Sequence, residues 1–298
     1  METRRLRYFV AVAEELNFGR AARRLDMAQP PLSRQIAQLE NDLGARLFDR
    51  ARAQIRLTPA GEALLARAQP ILDQLDSAYR EVARIGQGSV GRLRIAFVGS
   101  ASHGVLPEVI KAYRSAYPQV DLALSAMNNA ELERGLVRRD IDIAVARPAL
   151  SNDDFRSIEL HREPLALAAP DDSPIRSRGE IPLKSLASET FILYPRRPRP
   201  SFADHILALL ASEDMRPAET IFAQDYQTAI SLVSVGVGVS IVPRSVSTAL
   251  RPGVVFTDYV GANPGTALSV VARRDNTQPQ VMNFFKAVEA RRRTAPSA

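Results

Sequence analysis

The sequence predicts an α/β protein in three parts: a winged helix-turn-helix module, one long linker helix, and an α/β region large enough for two lobes. Three observations carry this prediction. Two short amphipathic segments flank a tight turn between Asn17 and Leu43. Apolar residues from Leu64 to Ile85 fall at alternating spacings of four and three, and beyond Ser89 strand-like runs alternate with helical ones. A chain of 298 residues with 46% hydrophobic content is ample for several buried cores.

The first helix is predicted over Arg5 to Glu15, with Leu6, Phe9, Val10 and Ala13 on one face. Asn17 is placed to cap a second helix through Leu25, on which Phe18, Ala21, Ala22 and Leu25 recur at helical spacing. The third begins at Pro30-Pro31, where a missing N–H is tolerated, and buries Leu32, Ile36, Leu39 and Leu43. Its other face opens with Gln29, Ser33, Arg34 and Gln38, side chains that can hydrogen-bond base edges and phosphates. Two packed helices of this kind suggest helix-turn-helix DNA recognition through Gln29, Pro30, Ser33 and Arg34; a merely polar surface helix is the alternative. Gly44 reads as a C-cap, and LFDRARAQIRLT as two short strands around a basic turn.

Thr58-Pro59 starts the linker helix, with Thr as cap and Pro in the first turn. Leu64, Ala68, Ile71, Leu75, Ala78, Val82 and Ile85 form a heptad seam roughly 33 Å long at 1.5 Å per residue. Such a narrow stripe fits a second copy of itself, so dimerisation is expected; packing on its own domain is the alternative. Pro70 predicts a kink. Gly86-Gln87-Gly88-Ser89 reads as a hinge.

Beyond the hinge, strands near Leu93 to Val98, Val120 to Ala126 and Ile141 to Arg147 alternate with helices near Leu106 to Tyr117 and Ala130 to Arg139. The rhythm continues through Phe191 to Tyr194, helix Phe202 to Ser212, Thr220 to Gln224, helix Gln227 to Val235, Val239 to Val242, Ala267 to Arg273 and helix Pro279 to Arg292. It predicts parallel sheets with helices on both faces. Ligands in such sheets sit outside the carboxyl ends of strands. Val98, Gly99 and Ser100, then Asn128 and Asn129, then Arg147 occupy those ends, and in the second half Ser201 caps a helix that opens with Phe202. Hydroxyls, helix N-termini and a guanidinium converging there would make a site for a small organic acid. Each also has a plainer role: Ser201 as a cap, Arg147 as a surface cation, Asn129 as a turn residue.

Net charge is +6, of which residues 1 to 58 hold +4, with eleven arginines, no lysine and seven acids. A compact basic module beside a nearly balanced one suits phosphate binding by the first. With no cysteine, disulfides and thiolate chemistry are excluded, and His103, His161 and His205 have no metal-ligand spacing, so no metal is expected. No apolar run is long enough to cross a membrane, and the N-terminus has no signal-peptide apolar stretch, so a cytoplasmic location and no membrane partner are expected. GVGVS at 236 to 240 lacks nucleotide-binding spacing and no nucleophile elbow or phosphate loop occurs; no enzyme activity and no cofactor are expected. A solute-binding protein of transport would have no use for residues 1 to 58.

From Leu6 to Gly61 the wording LRYFVAVAEELNFGRAARRL, AQPPLSRQIAQLE and LFDRARAQIRLTPAG resembles, almost without a break, the N-terminal domain of LysR-type transcriptional regulators. Gly19 departs, standing where that family often has Thr or Ser. The resemblance implies that Arg50, Arg52 and Arg56 lie in a wing along the DNA, with Arg52 near its tip. It also implies a DNA-binding domain at 1–58, a linker and dimerisation helix with hinge at 59–88, and an inducer-binding domain at 89–298. The last would be two periplasmic-binding-protein-like lobes, 89–161 with 266–298 and 162–265, the chain crossing near His161 and Gly265. Pairing of linker helices would be antiparallel and the homodimer would assemble to a homotetramer on double-stranded operator DNA, acting through RNA polymerase.

FVGS at 97 to 100, ILYP at 192 to 195 and RPSFADHILALL at 199 to 210 resemble the branch of this family that answers muconate, chloromuconates or benzoate and activates aromatic-degradation operons. That resemblance implies an inducer pocket of Val98, Gly99, Ser100, Asn129, Arg147, Pro200, Ser201 and Phe202. Asn129 replaces a threonine, Ala149 a lysine and His103 an aromatic, which bears on which acid is bound. His103 reads either as a packed residue or as a group titrating near the cleft.

Overall fold

The structure, a computed structural model, describes residues 3–49, 55–177, 181–197, 199 and 201–294, and divides into two compact units, Met1–Arg84 and Ile85–Ala298. In the first unit, α1 (Thr3–Glu15), α2 (Phe18–Arg24) and α3 (Gln29–Leu43) bury Phe9, Val12, Phe18, Leu32 and Ile36 against one another. Asn17 Oδ1 accepts the Arg20 N–H at 2.9 Å, which fixes the start of α2. Gly44 ends α3 at φ 62°, a left-handed cap that costs an L side chain energy. Phe48 then enters the core, its ring centroid 5.5 Å from that of Phe9. It lies on β1 (Phe48–Asp49), paired antiparallel with β2 (Arg56–Leu57) so that Phe48 faces Leu57.

The linker helix α4 runs from Pro59 to Gly86 and continues across Pro70. Thr58 Oγ1 accepts the Gly61 N–H at 3.0 Å, capping its first turn. A Cβ on Gly61 would lie 2.2 Å from the Leu47 carbonyl oxygen, so only glycine lets the helix approach the strand this closely. The heptad seam divides. Ala68 is buried in the core of the first unit with Leu64 packed against it, next to Leu72, which lies off the seam, whereas Ile71, Val82 and Ile85 are 54%, 67% and 53% exposed.

The second unit holds two lobes. The first is built from β3 (Val90–Phe97), α5 (Leu106–Ala116), β4 (Gln119–Ala126), α6 (Asn129–Val137), β5 (Ile143–Ala146) and β6 (Phe155–Glu163). The chain then forms β7 (Leu165–Pro170), β8 (Thr190–Leu193), α7 (Phe202–Ser212), β9 (Glu219–Phe222), α8 (Tyr226–Val233), β10 (Ser240–Pro243) and β11 (Val254–Thr257) of the second lobe. It returns with β12 (Thr266–Arg273) and α9 (Pro279–Thr294). The first sheet has the order β4-β3-β5-β12-β6, with α5 and α9 covering one face through Val109, Tyr113 and Phe284, and α6 the other through Leu132 and Leu136. The second lobe joins β10-β7-β11 to the β8-β9 pair through a bridge between Phe191 and Val239.

The expectation of parallel sheets needs correction. Pairs β3-β4, β3-β5 and β8-β9 are parallel, but β12 runs antiparallel to both β5 and β6, and β7 antiparallel to both β10 and β11. Strands β6 and β12 carry the chain between lobes, so the crossing sets their direction and the right-handed βαβ rule does not apply to them.

Candidate functional site

In α3, Leu32 and Ile36 are fully buried, and this leaves Gln29, Pro30 and Arg34 exposed and Ser33 partly so. Gln38, on the same face, donates to Asp42 Oδ1 at 2.8 Å. A Cβ on Gly19 would stand 3.6 Å from Gln29 Oε1, so the position where the motif departs from its family pattern borders the start of α3. Other arginines of this unit are already engaged: Arg5 with Asp42 at 2.5 Å, Arg7 with Asp76, and Arg24 with Glu14 at 2.6 Å. Arg50 and Arg52 lie outside the described residues. Arg56 is exposed at the start of β2.

In the second unit, a cavity of about 270 Å³ opens between the lobes at the ends of β3, β5 and β8. Val98, Gly99, Ser100, Asn129 and Arg147 line it from the first lobe and Ser201 and Phe202 from the second; Pro200 lies outside the described residues. Sequence reasoning did not single out Tyr194, Asp225 or Tyr226, which line it too.

The polar groups here are held by protein partners. Arg147 Nη2 donates to Glu163 Oε1 at 2.6 Å, with side chains 1% and 5% exposed. Glu163 also accepts the Ser245 N–H and its hydroxyl, at 2.5 and 3.0 Å, so its carboxylate ties the first sheet to the second lobe. Arg147 Nε and Nη1 are buried with no hydrogen-bond partner among the described residues. Asn129 uses both ends of its amide on the same corner: Oδ1 accepts the Arg147 N–H at 3.3 Å, and Nδ2 donates to the Pro148 carbonyl at 2.9 Å. Neither the surface cation nor the turn residue of the plainer reading survives this geometry. Ser201 keeps its capping role. Its N–H donates to Asp204 Oδ2 at 2.7 Å and its hydroxyl to the Pro195 carbonyl at 3.1 Å.

The Tyr194 hydroxyl is likewise buried and unpartnered among the described residues, and burial pushes its pKa up, so it stays an O–H donor. Its ring stacks on Phe202 at 5.4 Å between centroids. His103 reaches from the first lobe to the Tyr226 hydroxyl at 2.6 Å, and desolvation lowers its pKa. Packed against Tyr226 and bonded to it, His103 takes the packed role of the two that the sequence left open.

Two family models cover this chain: the LysR substrate binding domain over residues 86–293, and the bacterial regulatory helix-turn-helix protein of the lysR family over residues 3–62. The chain belongs to the LysR family of transcriptional regulators. The HTH-type transcriptional regulator CatR of Pseudomonas putida is 40% identical to it over 97% of this chain and 98% of its own length. A probable cat1 operon transcriptional activator of Acinetobacter lwoffii is 35% identical over 96% of this chain and 94% of its own. Among solved structures, CbnR, a LysR family regulator, matches with a TM-score of 0.80 at 31% identity, covering 97% of this chain and 100% of that one. CbnR has also been solved with its target DNA, matching at a TM-score of 0.74 and 30% identity over 98% and 99% of the two chains. The regulator is thus a DNA-binding protein whose relatives share both units. None of its described helices is long and apolar enough to cross a membrane.

Proposed function

We propose that the regulator binds a small organic acid, a muconate-like diacid or an aromatic acid, in the cleft between its lobes, and that binding changes its hold on an operator and activates an aromatic-degradation operon. The observation that carries this reading is that all seven described candidates from the two lobes line one cavity around a buried guanidinium with two nitrogens unpartnered among the described residues. A buried guanidinium with free donors is an anion-binding group. Acid bound there touches both lobes, and its leverage equals its differential affinity for the conformations it favours.

On the DNA side, Gln29, Pro30, Ser33 and Arg34 would enter the major groove while Arg50 and Arg52, assigned by resemblance alone, contact the backbone. The exposed Ile71, Val82 and Ile85 of α4 support pairing of two copies. Such a homodimer would assemble to a homotetramer in the cytoplasm and act through RNA polymerase, without enzyme activity of its own.

A thermal-shift panel of muconate, chloromuconate, benzoate and a neutral control tests the sensing half. Ligand at a hundredfold excess over its dissociation constant stabilises the folded state by about 2.7 kcal/mol, which is readily measured. A rise with at least one acid and none with the neutral control is expected. A flat panel would remove the organic-acid reading and leave the DNA-binding half in place.

A further inference from the structure

We infer that the cleft prefers an acid carrying one carboxylate on an apolar body over a diacid of the same skeleton, with Arg147 and Tyr194 holding that carboxylate. The inference rests on the proposed organic-acid site and narrows its ligand.

The charges of the cavity wall are few. Among the described residues that line it, Arg147 is the one cation, and Glu163 already faces one edge of its guanidinium at 2.6 Å. The arginines that follow β8 are turned elsewhere. Arg196 and Arg199 lie over the Phe222 ring at 5.8 and 5.6 Å, Arg199 pairs with Asp204, and neither lines the cavity.

Helix N-termini, which ordinarily welcome anions, do not supply the missing positive charge. Helices α6, α7 and α8 all begin at the cavity, and each beginning is already met by a carboxylate of its own. Glu131 accepts the Asn128 N–H at 2.9 Å, Asp204 the Ser201 N–H at 2.7 Å, and Asp225 the Thr228 N–H at 2.7 Å. Of these, Glu131 and Asp225 line the cavity. A second ligand carboxylate would therefore meet carboxylates of the protein, and like charges in a partly desolvated space repel strongly.

For one carboxylate the site is complete. Arg147 Nε, Arg147 Nη1 and the Tyr194 O–H are three donors with no partner among the described residues, on side chains more than nine-tenths buried. Unpaired buried donors are costly, so a ligand that satisfies them is favoured. Val98, Met127, Pro195 and Phe202 provide an apolar wall for the rest of the molecule, and a volume of about 270 Å³ suits a small one.

The test is calorimetric titration of the full-length protein with two matched pairs, sorbate against trans,trans-muconate and benzoate against terephthalate. The monoacid of at least one pair is expected to bind about tenfold or more tightly than its diacid. A diacid that binds as tightly as its monoacid, or tighter, in both pairs would overturn the inference while leaving the organic-acid site intact. Binding by no member of either pair would overturn the site itself and the inference with it. Two variants separate charge from general damage. Tyr194→Phe keeps the ring and removes one donor, and should weaken the monoacid about tenfold. Asp225→Asn keeps a good helix cap and removes one charge, and should narrow the gap by improving the diacid; an unchanged diacid affinity would contradict the charge argument.

Discussion

On α3 the side chains proposed to meet DNA stand in solvent above a buried floor of Leu32 and Ile36, whereas in the cleft Arg147, Asn129 and Ser201 are bound to protein partners. Helix α3 can therefore change its contacts without disturbing what holds it. The cleft cannot, because its polar groups are also the fasteners of the strand ends and of the contact between lobes. A surface reader and an embedded sensor should respond to substitution in opposite ways.

The largest effect is expected where function and fold coincide. Arg147→Ala strands the Glu163 carboxylate in the interior, and losing one partner of a buried pair costs about 3–5 kcal/mol. Urea unfolding of the second unit should show that loss, and Arg147→Met combined with Glu163→Gln should recover most of it. Recovery of nothing would mean that the pair is not what destabilises the single variant. Next comes the helix-to-strand approach at Gly61. Alanine there puts a Cβ into the Leu47 carbonyl, and the overpacking should cost about 1–3 kcal/mol and weaken DNA binding through the fold; an unchanged midpoint would show that the approach is not tight.

The surface reader gives the converse result. Arg34→Ala should cost about 1–3 kcal/mol of specific operator binding while moving stability by no more than about 0.5 kcal/mol. Footprinting and thermal melts read the two separately, and a variant that melts early would erase the contrast between the two sites. The smallest effect concerns His103. Burial lowers its pKa in the folded protein below the ordinary 6.5, so the unfolded chain takes up the proton first. Its contribution to stability is therefore complete above pH 6.5 and is lost as pH falls through the folded value. His103→Gln should flatten the acid side of the melting profile; a profile as steep as that of the parent would assign the dependence to other groups.

What was legible in the sequence follows the same division. The helix-turn-helix is decided locally, by the Asn17 cap, the prolines of the first turn of α3, Gly44 and apolar positions three and four apart, and each of these determines its element without distant help. The seven cavity residues were reachable because strand ends are where α/β sheets place ligands and because short motifs mark them. Glu163 was not. It stands on β6, a strand with no periodicity to announce it, and its meeting with Arg147 depends on where the chain crosses between lobes. Tyr226 meets His103 across 123 residues, a juxtaposition that only the packing of the two lobes creates. Leu165–Pro170 was not predicted because LALAAP shows no apolar–polar alternation, although five of its six residues are buried at the centre of the second sheet. In the linker helix, the seam was read correctly as apolar, but its first turns serve the core of their own unit, a choice the spacing alone does not reveal.

The central claim is that an acid in the cleft alters operator binding. The direct measurement is a fluorescence-anisotropy titration of operator DNA, with and without the best acid from the thermal-shift panel. It is run on the parent protein and on the doubly substituted Arg147→Met, Glu163→Gln protein, which keeps α3 untouched. Acid is expected to shift the binding curve of the parent and to leave that of the double variant unmoved. The same shift in both proteins, or no shift in the parent with an acid that demonstrably binds it, would contradict the account.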